Sequence, residues 1–307
     1  YQPSFAASFT VGALASFLSY AYQYMAPFNE VADASSDVIF ASVSAKRILE
    51  ASALTRESEA GETDVPSLEE MSCQDLRFGY VKEKEVLKGI SFDAHKGMRI
   101  ALVGQTGCGK TTLLSLLMRF YEPDSGGFSL QGKSLSEFAI APVRKKEGVI
   151  LQDAILIHGS VAENISIGKP DATLEEIVDA SKKAGADDFI RTLKDGYETI
   201  LSEKSGLSEG QKQLINLARV FLLDNELLLL DEATSHLDLL TETRLKEAFH
   251  SLCLDKTSII VAHRLSTVAD ADMILVMEKG EIVESGTYGE LIHAGGFFEE
   301  LYRSQLS

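Results

Sequence analysis

The stretch MRIALVGQTGCGKTT, residues 98–112, decides the fold class because it places a glycine-rich loop between two different periodicities. The apolar run before the loop has the composition of a buried strand, and the leucines after it repeat with a helical period. Residues 104–111 match the spacing G-x-x-x-x-G-K-[ST] in full. The sequence therefore predicts an α/β fold in which a strand, a loop and a helix follow one another directly.

Loops with this spacing bind phosphate groups. The glycines allow backbone N–H groups to point into the loop, at the positive end of the following helix. We expect Lys110 to contact the β- and γ-phosphates of a nucleotide and the hydroxyl of Thr111 to hold Mg²⁺. Cys108 is interpreted as a small residue that fills the loop, in preference to a redox site. The candidate nucleotide-binding residues here are Gly104, Gln105, Thr106, Gly107, Cys108, Gly109, Lys110, Thr111 and Thr112.

A second apolar run, LLLL at residues 227–230, ends in two carboxylates, Asp231 and Glu232. Continuous apolar runs are typical of buried parallel strands, and ligands bind at the carboxyl ends of such strands. Asp231 is therefore predicted to hold Mg²⁺, directly or through water. Glu232 is predicted to polarise a water molecule for attack on the γ-phosphate.

The charge of the chain excludes some classes of partner. The sequence has 46 acidic and 29 basic residues, so the net charge is −17. This balance argues against binding to nucleic acid, which requires a basic face, and against a polybasic membrane anchor. The charge is also uneven, because residues 1–29 contain no charged side chain and residues 30–70 carry a net charge of −7.

The uncharged start predicts a helix that crosses a membrane. Residues 5–28 are long enough to span the hydrocarbon core. Small and polar residues at helical spacing form one stripe that suits packing against other membrane helices. A buried helix of a soluble protein is the alternative, and a secretory signal is disfavoured because no Lys or Arg precedes Lys46. The stripe consists of Ser8, Gly12, Ser16, Ser19 and Gln23.

The domain boundaries follow from the same composition. Residues 1–55 are predicted to be this helix and its cytosolic extension, with Pro27 expected to kink or loosen the end of the membrane part. Residues 56–70 are acidic, contain Gly61 and Pro66, and are interpreted as a solvated linker. Residues 71–307 are predicted to form the globular body.

Several further motifs give the chain a specific resemblance. Residues 71–307 resemble the nucleotide-binding domain of an ATP-binding cassette (ABC) transporter, and residues 1–55 resemble the last transmembrane helix of an exporter half. The motifs occur in the order that the family has. They are Tyr80 in LRFGY, the glycine-rich loop, Gln152 in VILQD, LSEGQ at 207–211, Asp231–Glu232, SHLD at 235–238 and His263 in VAHRL.

The resemblance implies a P-loop NTPase fold of ABC type, with a RecA-like core, an antiparallel β subdomain that carries Tyr80 and a helical subdomain at about 153–222. It implies ATP and Mg²⁺ as ligands, with Tyr80 on the adenine and Thr111, Gln152 and Asp231 at the metal. Glu232 and His263 would be catalytic, and Asp238 would belong to the D-loop. The signature residues would contact the ATP of a second half-transporter; they are Ser208, Glu209, Gly210 and Gln211.

The signature can also be interpreted without the family. Ser208 and Gln211 have the spacing of a capping box, followed by an apolar helical period. Glu209 stands where the family usually has glycine, and a negative charge there would repel a nearby γ-phosphate. As an acid in the first turn, Glu209 also suits the helix dipole, which is the alternative interpretation. Because exporter halves with a residue other than glycine here resemble members of heterodimers that have one weakened site, the resemblance implies a heterodimer in preference to a homodimer.

The resemblance predicts an ATPase subunit of an exporter in the cytoplasmic membrane, with the nucleotide-binding domain in the cytosol. Two alternatives stay open at this point, namely a soluble ABC ATPase that acts on nucleic acid or ribosomes, and an importer ATPase on a separate chain. The sequence does not identify the transported substrate, which could be a drug, a lipid or a peptide.

Overall fold

The computed structural model describes residues 10–54, 57, 59–151, 153–202, 206–231, 239–254, 256–262 and 268–306. The chain forms two compact units, Tyr1–Glu57 and Ser58–Ser307. Each unit is described separately below.

The first unit is a single long helix, α1, over Val11–Ser52. The hydroxyl of Thr10 caps it by accepting a hydrogen bond from the backbone N–H of Ala13 at 3.2 Å. The helix continues through Pro27, so the proline does not end the helix, and the expected kink stays a prediction.

The predicted helix is thus confirmed, but the apolarity expected of a membrane span is not found. Among the described residues, no helix is both long enough and apolar enough to cross a bilayer.

The second unit contains two principal sheets. In the six-stranded sheet the order is β12-β11-β3-β10-β9-β6, with β12 antiparallel to β11 and the other neighbours parallel. The four-stranded antiparallel sheet has the order β2-β1-β4-β5. In addition, the short strands β7 and β8 pair with each other. The strands are β1 (Glu70–Phe78), β2 (Leu87–His95), β3 (Arg99–Gly104), β4 (Ser125–Leu130), β5 (Lys133–Ser134), β6 (Glu147–Ile150), β7 (Gly159–Ser160), β8 (Ile200–Leu201), β9 (Leu227–Asp231), β10 (Thr257–Val261), β11 (Met273–Glu278) and β12 (Glu281–Gly286).

Helices cover the parallel sheet and form a separate helical part between β7 and β9. The helices are α2 (Lys110–Leu117), α3 (Ile140–Lys145), α4 (Val161–Ser166), α5 (Leu174–Lys183), α6 (Asp187–Thr192), α7 (Glu209–Leu222), α8 (Leu239–Cys253), α9 (Tyr288–Leu291) and α10 (Phe297–Leu306); short 3₁₀ turns lie at Leu135–Glu137 and Gly196–Glu198. The predicted α/β class, with an antiparallel sheet and a helical part, is confirmed.

The core explains why the central strands are apolar throughout. The first four residues of β9 and all five residues of β10 are buried, because helices or the second sheet cover both faces. One apolar cluster fills the space between the two sheets around α2, and a second one surrounds α7 and α8. The buried strand predicted at 227–230 is confirmed, and Asp231 is its last residue.

The described acidic residues of the segment before β1 are exposed, as its composition predicts, but two of its apolar residues pack into the core. Val65 and Leu68 are each only 7% exposed and belong to the core cluster between the sheets. The backbone N–H of Leu68 donates to the carboxylate of Glu226 at 2.6 Å, and Glu62 exchanges backbone hydrogen bonds with residues 137 and 139. Two isolated apolar side chains make no period in the sequence, but each one fills a place in the core.

Candidate functional site

The glycine-rich loop connects β3, an inner strand of the six-stranded sheet, to α2. Gly109 forms the N-cap of α2 with a φ of +112°, a conformation that side chains with a Cβ rarely adopt. A Cβ on Gly109 would also lie 2.7 Å from Leu87 Cδ2. A Cβ on Gly104 would lie 2.2 Å from the carbonyl oxygen of Met277 on the neighbouring strand β11. The strand, loop and helix predicted from the sequence are confirmed, and packing requires glycine at both ends of the loop.

Lys110 folds its side chain back over the loop. Its ammonium group donates to the carbonyl oxygens of Gly104 at 2.8 Å and Gln105 at 3.0 Å, and it lies 3.7 Å from the sulfur of Cys108. The residue is only 6% exposed. The loop backbone therefore holds a positive charge inside the concavity that its own amides form. Such an arrangement favours an anion with several oxygens, such as a phosphate chain.

Two oxygen donors meet beside this cation. The hydroxyl of Thr111, in the first turn of α2, donates to a carboxylate oxygen of Asp231 at 3.2 Å. Asp231 stands at the carboxyl end of β9, 120 positions further along the chain. The fold thus brings together the two predicted metal ligands that it describes. A hydroxyl and a carboxylate are hard oxygen donors of the kind that Mg²⁺ prefers.

Tyr80 lies beside the start of α2. It follows the end of β1 by two residues, so it belongs to the loop between β1 and β2 of the antiparallel sheet and not to a strand. Its hydroxyl donates to the hydroxyl oxygen of Thr112 at 3.3 Å. Tyr80, Thr112, Thr111, Lys110 and Asp231 therefore form one connected group at the end of the parallel sheet.

The signature residues form the first turn of α7. Ser208 Oγ accepts from the backbone N–H of Gln211 at 3.2 Å, and Gln211 Oε1 accepts from the backbone N–H of Ser208 at 3.0 Å. The predicted capping box is confirmed. Glu209 makes an ion pair with Lys212 at 2.6 Å. In the described part of the chain, no hydrogen bond or ion pair joins this turn to the glycine-rich loop.

Four predicted site residues lie outside the described part of the chain. They are Gln152, Glu232, Asp238 and His263. Glu232 directly follows Asp231 in the sequence. His263 lies two positions after Val261, the last residue of β10. Their roles stay predictions from the sequence.

Sequence reasoning missed a buried network that fixes the start of α4 against α7. The guanidinium of Arg219, on α7, donates to the carbonyl oxygens of Asn164 at 2.7 Å and Ile155 at 2.6 Å, and to Asn164 Oδ1 at 2.9 Å. Asn164 is buried, and its side chain also bonds the backbone of Ile157 in both directions. Desolvation lowers the pKa of Arg219 below its usual range. The sequence signal that could have revealed this network is Arg219 itself, an arginine on an otherwise amphipathic helix.

Lys212 was also missed as a partner of Glu209. A Lys three positions after a Glu on a helix predicts an ion pair, so the spacing could have revealed it. The side chain of Glu209 is largely exposed and that of Lys212 is half-buried. The charge of Glu209 is therefore partly compensated within its own helix, which the sequence interpretation did not include.

Residues 87–235 match a protein-family model described as ABC transporter. The chain is 40% identical over 300 residues to the uncharacterized ABC transporter ATP-binding protein YfiC of Bacillus subtilis, covering 96% of this chain and 50% of the relative. It is also 40% identical over 297 residues to a fatty acid ABC transporter ATP-binding/permease protein of Mycobacterium bovis, with 96% of this chain and 47% of the relative aligned. The chain thus spans about half the length of these curated relatives.

A solved structure shows the same similarity. A bacterial Atm1-family ABC exporter with ATP bound aligns with a TM-score of 0.78 and 31% sequence identity. The alignment covers 97% of this chain and 53% of the exporter chain.

Proposed function

This chain carries a domain of the ABC transporter family, and we propose that it is the ATP-binding and ATP-hydrolysing part of an exporter half. In this proposal, closure and reopening of a dimer of such domains drive substrate export across a membrane. The observation that carries the proposal is the position of Lys110, whose ammonium is held inside the loop by two carbonyl oxygens. A preorganised cation among backbone amides is suited to the β- and γ-phosphates of ATP.

The donor set beside Lys110 fits Mg²⁺. Thr111 and Asp231 would hold the ion from opposite elements, and Gln152 would add a third oxygen donor. When bound, the ion would neutralise charge on the phosphate oxygens. The loop amides and Lys110 orient the phosphate chain, and the other loop residues, from Gly104 to Thr112, shape the site around it. Tyr80 would stack on the adenine.

Two residues complete the proposed chemistry of hydrolysis. Glu232 would position a water molecule in line with the γ-phosphate and accept its proton, because it directly follows the strand that ends in Asp231. His263 would contact the γ-phosphate from the neighbouring segment after β10. Asp238 would act in the D-loop at the contact between the two halves.

Replacement of Glu232 by Gln tests this assignment. The amide cannot accept a proton, so steady-state hydrolysis should fall at least about 10²-fold while Mg·ATP binding is retained. Hydrolysis is measured as phosphate release and binding by titration calorimetry. Glu247→Gln, at an exposed position on α8, is the matched control and should hydrolyse ATP at the wild-type rate. Near-normal turnover by Glu232→Gln would overturn the role of Glu232.

The proposal assigns residues 1–55 to the last transmembrane helix and its cytosolic extension, 56–70 to the connecting segment and 71–307 to the nucleotide-binding domain, with a helical subdomain at about 153–222. The support is that relatives aligned along 96% of the chain are named ATP-binding/permease proteins. The small and polar residues Gly12, Ser16, Ser19 and Gln23 of α1 would face other helices of a permease domain. Membrane fractionation of the native gene product tests the placement in the cytoplasmic membrane, and recovery in the soluble fraction would contradict it.

The partner in this proposal is a second half-transporter. Ser208, Glu209, Gly210 and Gln211 would then contact the ATP that the partner binds, and a heterodimer is favoured because Glu209 adds a negative charge at that contact. Lys212 reduces that charge and does not remove it, since Glu209 is largely exposed. The test is transport and hydrolysis by the purified full-length half alone. Robust activity without a second gene product would contradict the heterodimer.

A further inference from the structure

Three aromatic rings pack together beside the glycine-rich loop. Tyr80 lies 5.0 Å from Phe78 and 5.1 Å from Tyr121, measured between ring centroids, and is close to perpendicular to both rings, at 81° and 89°. Phe78 and Tyr121 are themselves 5.5 Å apart. The three rings therefore form a closed triangle in which each one contacts the other two. Edge-to-face contacts at these separations are attractive.

Two hydrogen bonds of Asp124 anchor the segment that contains Tyr121. The segment after α2 returns to the end of β1, where the carboxylate of Asp124 accepts from the backbone N–H of Gly79 at 2.9 Å. The backbone N–H of Asp124 donates in turn to the carbonyl oxygen of Arg77 at 2.9 Å. These two bonds join the loop of Tyr80 to the loop of Tyr121. The contact between the two rings is thus a consequence of the fold and not of a free surface side chain.

The contacts of Tyr80 restrict its orientation. The residue is 53% exposed, and an exposed tyrosine without contacts samples several rotamers. Here its hydroxyl is bonded to Thr112, at the phosphate end of the site, and Phe78 and Tyr121 contact the ring itself. Three contacts from different elements define the plane of the ring before a ligand arrives.

We propose that Tyr121 is a positioning residue for the nucleotide base, because it holds the ring of Tyr80 in the orientation in which it stacks on adenine. This inference rests on the proposed ATP site and adds a residue to it. Loss of the Tyr121 ring leaves Tyr80 with Phe78 as its remaining ring partner among the described residues. The base then binds a less ordered platform, and ordering that platform on binding costs affinity.

The experiment compares Tyr121→Leu, Tyr121→Phe and the wild type in the whole chain. Binding of Mg·ATP and of Mg·tripolyphosphate, which has no base, is measured by titration calorimetry. Tyr121→Leu should weaken Mg·ATP binding about two- to tenfold, the range of one aromatic pair, and leave Mg·tripolyphosphate binding unchanged. Tyr121→Phe keeps the ring and should bind Mg·ATP as the wild type does. In hydrolysis, Tyr121→Leu should raise KM and leave kcat unchanged.

Phe120→Leu is the matched control. Phe120 is the preceding residue and is 54% exposed, compared with 46% for Tyr121, but its ring lies 5.1 Å from the guanidinium of Arg144. Its replacement should leave Mg·ATP affinity unchanged. An effect as large as that of Tyr121→Leu would overturn the inference.

Each remaining outcome of these measurements bears either on the proposed function or on the role of Tyr121. If the wild type does not bind Mg·ATP, the proposed function fails before the inference is tested. If the wild type binds and Tyr121→Leu binds equally well, the inference fails and the proposed function stands. Weakened tripolyphosphate binding by Tyr121→Leu would show damage to the phosphate loop and would overturn a role at the base. Weakening by Tyr121→Phe equal to that by Tyr121→Leu would overturn a role of the ring.

Discussion

Two helix N-termini are proposed to contact ATP, and they satisfy their first backbone amides in different ways. At α2 the N-cap is Gly109, and no side chain of the described residues caps the helix. At α7 the N-cap is Ser208, and in its capping box the side chains of Ser208 and Gln211 accept hydrogen bonds from each other's backbone N–H groups. A helix start leaves its first N–H groups without backbone partners, so each one must find a side chain, water or a ligand.

The difference suggests how each helix relates to its ligand. The open start of α2 keeps its amides available for phosphate, and Lys110 adds a buried cation to them. The start of α7 is complete without a ligand, which suits a surface that would meet ATP only when two halves associate. Glu209 and Lys212 then supply opposite charges at the exposed end of that turn.

The largest expected effect compares the first-turn lysines of the two helices. Lys110→Ala removes the cation held in the loop and should weaken Mg·ATP binding by the chain at least about 10²-fold, by analogy with loss of one preorganised donor. Lys212→Ala removes a partly exposed ion pair with Glu209 and should leave this affinity within about twofold of the wild type. Titration calorimetry with Mg·ATP measures both variants. Equal losses of Mg·ATP affinity in Lys110→Ala and Lys212→Ala would contradict the proposed difference between the starts of α2 and α7.

A second, intermediate effect concerns the backbone of the open helix start. Gly109→Ala should lower the free energy of unfolding by at least about 2 kcal/mol, because it combines a left-handed φ with a contact to the fully buried Leu87. Gly107 also has a positive φ, of +83°, but a Cβ there would meet nothing within 4 Å. Gly107→Ala should therefore cost only about 1 kcal/mol.

Urea unfolding followed by circular dichroism measures both glycine variants. If Gly107→Ala were as destabilising as Gly109→Ala, backbone strain alone would account for the requirement, and packing against Leu87 would have no part in it.

The smallest effect concerns the closed helix start. Ser208→Ala removes the acceptor for the backbone N–H of Gln211 and should lower the free energy of unfolding by about 1 kcal/mol. Ser208→Thr keeps a capping hydroxyl and should recover most of this loss. The same urea experiment measures both. A Ser208→Ala variant as stable as the wild type would mean that the capping box contributes nothing to α7.

Local patterns allowed much of the fold to be predicted. The glycine spacing specified β3, the loop and α2, the run of four leucines specified β9, and the Ser208–Gln211 spacing specified the start of α7. In each case neighbouring residues supply the determining interactions. Hydrogen bonding along a helix and burial of a whole strand leave a periodic signature in the sequence.

Contacts between distant segments could not be predicted in this way. Val65 and Leu68 are two apolar residues in an acidic segment, and only the core between the sheets shows where they pack. Arg219 on α7 and Asn164 on α4 are 55 positions apart, and no sequence pattern in either segment indicates that these two residues are in contact. The sequence also predicted a membrane span in residues 5–28, and no helix of the described residues is long and apolar enough to be one.

The sequence alone determined which residues can bind phosphate and metal, because a glycine-rich loop and a strand that ends in carboxylates are local chemistry. Only the tertiary structure decided how they meet. Thr111 and Asp231 come within hydrogen-bonding distance because β9 and β3 lie on either side of β10 in a parallel sheet. Tyr121 meets Tyr80 because the chain returns to the end of β1 after α2. Such contacts depend on the pairing of strands far apart in the chain, and no local pattern records that pairing.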